Sequence, residues 1–149
     1  MRRFPSTAPI YLGSGETPRA VRCAFWLGIH LAFRGDMGGA GGWFGRAQRL
    51  LETEPRDCVE QGYLLLPAVI HQRGAGEYEA AYATAVTAAE LGARFRDADL
   101  FALAVHEQGR ARILQGAVQD GLGLLDEAMV AVTAGELSPI VTGLISIAA

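Results

Sequence analysis

Lysine is absent from this 149-residue chain: all 13 basic residues are arginine, set against 16 Asp and Glu for a formal net charge of −3. The arginines are scattered along a mildly acidic chain and form no basic stripe of the kind that tracks a phosphate backbone, so direct binding of nucleic acid is not expected. Cysteine is scarce. Cys23 and Cys58 stand in apolar, helix-like segments without a Cys-x-x-Cys spacing, which argues against a disulfide framework and for reduced thiols in the cytoplasm. Long hydrophobic runs are missing too: Ala20–Phe33 is interrupted by Arg22 and His30, and Leu137–Ala149 is too short to span a bilayer, so no membrane partner is expected. Phe4–Pro9 supplies no continuous apolar segment behind Arg2 and Arg3, which excludes a secretion signal. Alternation of apolar and polar residues is nowhere sustained, so strands are not expected.

Small and apolar residues are plentiful. Half the chain is hydrophobic, and Ala and Gly together fill 44 positions (25 and 19), a composition too apolar for disorder in a chain of one domain's length. Helix-breaking turns fall at Gly35–Asp36, Gly74–Glu77 and Gln115–Gly116, and taking Gly35, Gly76 and Gly116 as equivalent gives spacings of 41 and 40 residues. That is the period of stacked helical hairpins. The first helices of the hairpins read as Pro18–Arg34, Cys58–Arg73 and Asp97–Leu114, with Pro18 suited to a first turn and Asp97 to an N-terminus. The second helices read as Met37–Glu52, Tyr78–Arg94 and Val118–Thr133, and a fourth hairpin starts at Leu137. In Val118–Thr133 the residues Val118, Leu122, Leu125, Met129 and Val132 share one face and are expected to be the packed one. The expected fold is therefore an all-α solenoid of about three hairpins plus a truncated fourth, with residues 1–16 irregular and 17–149 the helical-repeat domain. One segment works against it: Gly38, Gly39, Gly41, Gly42 and Gly45 each cost a helix about 0.8–1 kcal/mol relative to Ala. Packing of Trp43 and Phe44 must offset that cost, or the helix starts late.

The residues flanking the turns resemble the tetratricopeptide pattern of small and large packing positions. Ala24, Leu27, Gly28 and Leu31 precede the first turn and Ala40, Phe44 and Ala47 follow it. Ala68, Ala81, Ala85 and Ala88 match in the second unit, and Gly109, Gly121, Leu125 and Ala128 in the third. The run from Gly121 to Leu144 is similar to the helical-repeat segment of actinobacterial LuxR-type transcriptional regulators, as are Leu31–Asp36 and Gly42–Leu51. That resemblance implies a non-catalytic sensor or scaffold segment that works by protein interaction. The family's DNA-binding residues have no counterpart in this sequence, and the chain is expected to be a fragment or stand-alone remnant of such a regulator.

Chemical motifs are weak by comparison. The glycines of Gly38–Gly45 lack the Gly-Lys-Ser/Thr ending of a phosphate loop and no strand precedes them, so no cofactor is expected. His30 and His71 stand at equivalent positions one turn before Gly35 and Gly76, but no His-x-x-x-His or Cys-x-x-Cys pair completes a metal site, which favours packed or helix-end histidines. Cys23, Cys58, Ser138 and Ser146 lie in no nucleophile signature, and the adjacent Asp126 and Glu127 point in different directions on a helix, so no enzyme activity is expected.

The first helices remain as a binding surface. By their match to tetratricopeptide groove positions, Arg22, Phe25 and Ile29, then Tyr63, Leu66, Ile70 and Arg73, then Leu103, His106 and Arg110 would line a groove for a protein or peptide partner. Arginine and aromatic residues dominate interface hot spots, whereas Phe25, Ile29, Leu66 and Ile70 are equally suited to a core between repeats. A stand-alone sensor of a peptide or small ligand would use the same groove. At the other end, Ile140 and Leu144 lie one turn apart on an uncharged helix and would form a face for self-association.

Overall fold

The computed structural model describes residues 17–53 and 57–148; the expected irregular segment 1–16 lies outside the described residues. Seven helices and no strand make up the described chain: α1 Thr17–Phe33, α2 Met37–Thr53, α3 Glu60–Gly74, α4 Tyr78–Arg94, α5 Ala98–Leu114, α6 Val118–Thr133 and α7 Pro139–Ala148. Internal contacts divide the chain into two units, Met1–Leu64 and Leu65–Ala149. The division falls inside α3, close to Pro67, which has no N–H to return to the Tyr63 carbonyl.

One turn design ends five of the helices. In each, the third residue past the helix end donates its N–H five residues back: Asp36 to Leu31, Glu77 to Gln72, Asp97 to Gly92, Ala117 to Arg112 and Glu136 to Ala131. The residue before it donates three back, as Gly35 does to Ala32 and Gly76 to Arg73. This paired pattern is the Schellman motif, and it places one residue in the left-handed region. That residue is Gly35 (φ 84°), Gly76 (φ 83°), Gly116 (φ 92°) and Gly135 (φ 72°) in four cases, and Arg96 (φ 55°) in the fifth. The turns are so short that the helices they join run antiparallel. Two of the turns also cap the next helix: the Asp97 carboxylate accepts from Leu100 N–H at 2.9 Å, and the Asp36 carboxylate accepts from Gly39 N–H at 2.9 Å.

The second of those caps answers the glycine problem of α2. The helix begins at Met37 and not later, because Asp36 holds its first turn and because Phe44 and Ala40 pack inward. Gly28 of α1 lies so close to Phe44 that a β-carbon there would come within 2.5 Å of the ring. The core of this first unit gathers Val21 and Ala24 of α1, Ala47 and Leu51 of α2, and Cys58, with Trp43, Leu50 and Leu64 against them.

In the second unit α5 is the central helix. It packs against α4, α6 and α7, and buries Leu100, Ala102, Ala104, Val105, His106, Gln108, Gly109 and Ala111. Its approach to α6 is set by two glycines: a β-carbon on Gly109 would meet the Gly121 carbonyl oxygen at 2.8 Å, and one on Gly121 would meet the Gly109 carbonyl oxygen at 2.7 Å. The packed side of α6 is therefore Gly121, Leu125 and Ala128. This corrects the expected stripe, since Val118 and Leu122 are exposed. The register of the second hairpin also shifts by one residue: Val69, fully buried against Ala81, Ala85 and Ala111, takes the position expected for Ala68, which is exposed. α7 turns Val141 and Ile145 inward, is capped by Ser138, and is tied to α5 by a 2.9 Å hydrogen bond from Ser138 N–H to the Asp99 carboxylate.

Arg96 is the odd member of the turn series. A left-handed conformation costs an L-residue roughly 1–2 kcal/mol, part of which glycine returns through the entropy of its unfolded chain. Arg96→Gly is expected to stabilise the protein by about 0.5–1 kcal/mol, and Gly76→Ala to destabilise it by about 1 kcal/mol, in urea unfolding. Equal effects of the same sign would remove the left-handed requirement from these turns.

Candidate functional site

Each unit gathers part of the expected binding surface. In the first, Arg22, Phe25, Trp26 and Ile29 lie on one side of α1, and the first three of them reach the first turn of α3. The rings of Phe25 and Tyr63 lie 5.4 Å apart, Phe25 and Trp26 5.0 Å, Trp26 and Tyr63 6.2 Å, and Phe25 reaches Phe44 at 6.0 Å. Phe25 and Tyr63 are almost wholly buried, so both are core residues and neither offers its face to a ligand. Arg22 closes the cluster from outside. Its guanidinium lies 4.8 Å from the centre of the Tyr63 ring, and its Nε is 3.0 Å from a carboxylate oxygen of the nearly buried Glu60, while 40% of the side chain stays exposed.

In the second unit the pattern repeats with other residues. Arg73, from the last turn of α3, forms an ion pair with Glu107 of α5, and both are largely buried. His106 Nδ1 is 3.9 Å from the second carboxylate oxygen, and Arg110, half-buried, stands one turn further along α5. Burial pushes the Glu107 carboxyl up, but His106, Arg73 and Arg110 together outweigh it and hold its pKa below the ordinary value. Arg73 contacts the carboxylate directly, and Arg110 acts on it through its charge. The Nε2 of His106 and the Oε1 of Gln72 are buried with no hydrogen-bond partner. Of the other expected groove residues, Leu66 is buried, Leu103 half-buried and Ile70 exposed.

The remaining candidates have simpler settings. His30 and His71 are exposed in the last turns of α1 and α3, and among the described residues no group of three His, Cys, Asp or Glu could hold a metal ion. Gly38–Gly45 lies within helix α2 and forms no loop. Burial, chiefly, pushes the Cys58 thiol up, against backbone hydrogen bonds from Gln61 and Glu60, which leaves it a poor nucleophile. No helix among the described residues is long and apolar enough to cross a membrane. On α7, Ile140 is exposed and Leu144 half-buried.

Glu60 and Glu107 escaped the sequence reading, although a signal existed for both. Arginines on an otherwise apolar helix side need acidic partners, and Glu60 and Glu107 each stand three residues before a groove position, Tyr63 and Arg110.

No family model matches the chain, and no curated protein matches it. Among solved structures, the N-terminal domain of stress-induced protein-1 (STI-1) from C. elegans superimposes with a TM-score of 0.52 at 16% identity, covering 89% of this chain and 97% of that one. The fold is tetratricopeptide-like. With it, the first helices of the hairpins, α1, α3 and α5, are the ones that carry the Arg–Glu pairs.

Glu107→Gln should leave Arg73 in a largely buried place without its counter-charge, at a cost of about 1–3 kcal/mol, between the values for exposed and buried pairs. Because the folded-state pKa of Glu107 is depressed, its contribution is complete at neutral pH and is lost as pH falls through that pKa, below the ordinary value of 4.5. Urea unfolding from pH 7 to pH 3 should therefore converge for the two proteins toward acid. A constant difference would show that the carboxylate charge does not contribute.

Proposed function

We propose that this chain is a non-catalytic protein-interaction module in which each unit offers arginines of its first helices to a peptide partner. The observation that carries this reading is the tetratricopeptide-like fold, in which paired helices present first-helix side chains in a repeated array. The chemistry of those side chains favours an acidic partner. Arg73 and Arg110 have one carboxylate between them, so the cluster retains a positive charge that a second carboxylate would satisfy through charge-assisted hydrogen bonds. Arg22, with much of its side chain accessible beside Trp26, offers a cation next to an aromatic surface in the first unit. A peptide would meet guanidinium groups and half-buried side chains, while Phe25 and Tyr63 would support them from beneath.

A narrower proposal follows from the Gly121–Leu144 run and its likeness to LuxR-type regulators: the module is the sensor or scaffold segment of such a protein. A helix-turn-helix reading frame in the adjoining coding sequence would support it.

An array of acidic and neutral twelve-residue peptides probes the proposal directly. Acidic members are expected to be retained, and Arg22→Ala, Arg73→Ala and Arg110→Ala together to weaken their binding by about tenfold or more, equivalent to about 1.4 kcal/mol or above. Because Arg73 also supports the fold, Arg110→Ala alone should reproduce part of the loss with a smaller drop in the unfolding midpoint than Arg73→Ala. Unchanged affinity in the triple variant would move recognition away from the first helices.

A further inference from the structure

We propose that a cleft between α5 and α6 receives the α1–α2 turn of a second copy of this chain. The cleft encloses about 210 Å³ where the first turns of α5 face the last turns of α6. Phe101 and Val105 line one wall, Ala128 and Val130 the other, and Glu127 and Glu136 stand at its edge. Val130 is 65% exposed. Both glutamates are exposed, and they are the charged residues that line the cleft. The occupant must therefore bring an apolar side chain and a cation together.

The chain itself displays such an element. At the α1–α2 turn Phe33 and Met37 are each 66% exposed, and the exposed Arg34 lies between them. The Schellman bonds from Asp36 to Leu31 and from Gly35 to Ala32 hold this turn in one conformation, so little chain entropy is lost when it docks. Phe33 or Met37 would enter the cleft, and Arg34 would approach Glu127 and Glu136. The turn and the cleft are different surfaces, so the contact is heterologous and leaves a free turn and a free cleft on every pair. It is independent of the arginine-bearing side of the first helices, and the failure of either proposal leaves the other intact.

Sedimentation of the full chain tests the assignment through two variants, each disabled on one side. The turn variant carries Phe33→Ala, Arg34→Glu and Met37→Ala; the cleft variant carries Glu127→Arg and Glu136→Arg. All five positions are exposed, and circular dichroism confirms that each variant is folded. The unmodified chain is expected to gain mass with concentration, less so at high salt. Each variant alone should stay monomeric, and an equimolar mixture should form a dimer and stop there, because one turn and one cleft remain between them. Three results would overturn the proposal: an unmodified chain that is monomeric at millimolar concentration, a mixture in which both variants stay monomeric, or association abolished by Ile140→Glu and untouched in the turn and cleft variants. The last would assign self-association to α7.

Discussion

The structure depends on helices approaching one another where a side chain is missing. Gly28 admits the Phe44 ring, Gly92 admits the backbone of Phe101, and Gly109 and Gly121 bring α5 and α6 into mutual backbone contact. A β-carbon on Gly92 would lie 2.7 Å from the Phe101 nitrogen, closer than such atoms come in a relaxed structure. Every such glycine weakens its own helix by about 1 kcal/mol relative to alanine, and the return is a close interhelical contact with more dispersion attraction per unit length. A chain with 44 small residues is adapted to this mode of packing, in which alanine and glycine do the work that leucine does elsewhere.

Close approach at fixed positions also dictates the turns. Three residues link most of the joined helices, and the same set of backbone hydrogen bonds recurs at each of them. The hairpins were legible in the sequence because a left-handed residue at a helix end is usually glycine, which marks Gly35, Gly76 and Gly116 plainly. Phe95–Arg96–Asp97 carries no such mark, and there only the capping signal of Asp97 located the boundary. Side-chain register was harder. Ala68 and Val69 are equally acceptable to a pattern of small apolar residues, and only the packing of Val69 into the alanines of α4 decides between them. In α6 the apolar stripe was misleading for the same reason: hydrophobicity favours Val118 and Leu122, while proximity favours Gly121 and Ala128.

The arginines illustrate a further limit. Their placement on the first helices could be read from the sequence, but their charge balance could not, because Arg22 pairs with Glu60 and Arg73 with Glu107 across more than thirty residues of chain. Pairing changes what the surface can do. Arg22 and Arg73 each contact a carboxylate and so serve the fold, whereas Arg110 acts on Glu107 through its charge.

Two glycines separated by one turn of chain decide whether this account of the packing is right. Gly109 faces α6 at backbone distance, while Gly123, on α6 itself, has open space where its β-carbon would be. Equilibrium unfolding of Gly109→Ala and Gly123→Ala compares the same chemical change in the two settings. The account predicts opposite signs: a loss of about 1–3 kcal/mol for Gly109→Ala from overpacking, and a gain approaching about 1 kcal/mol for Gly123→Ala from helix propensity. Stabilisation by both substitutions would contradict it, since α5 and α6 would then have no need of a residue without a side chain at their crossing.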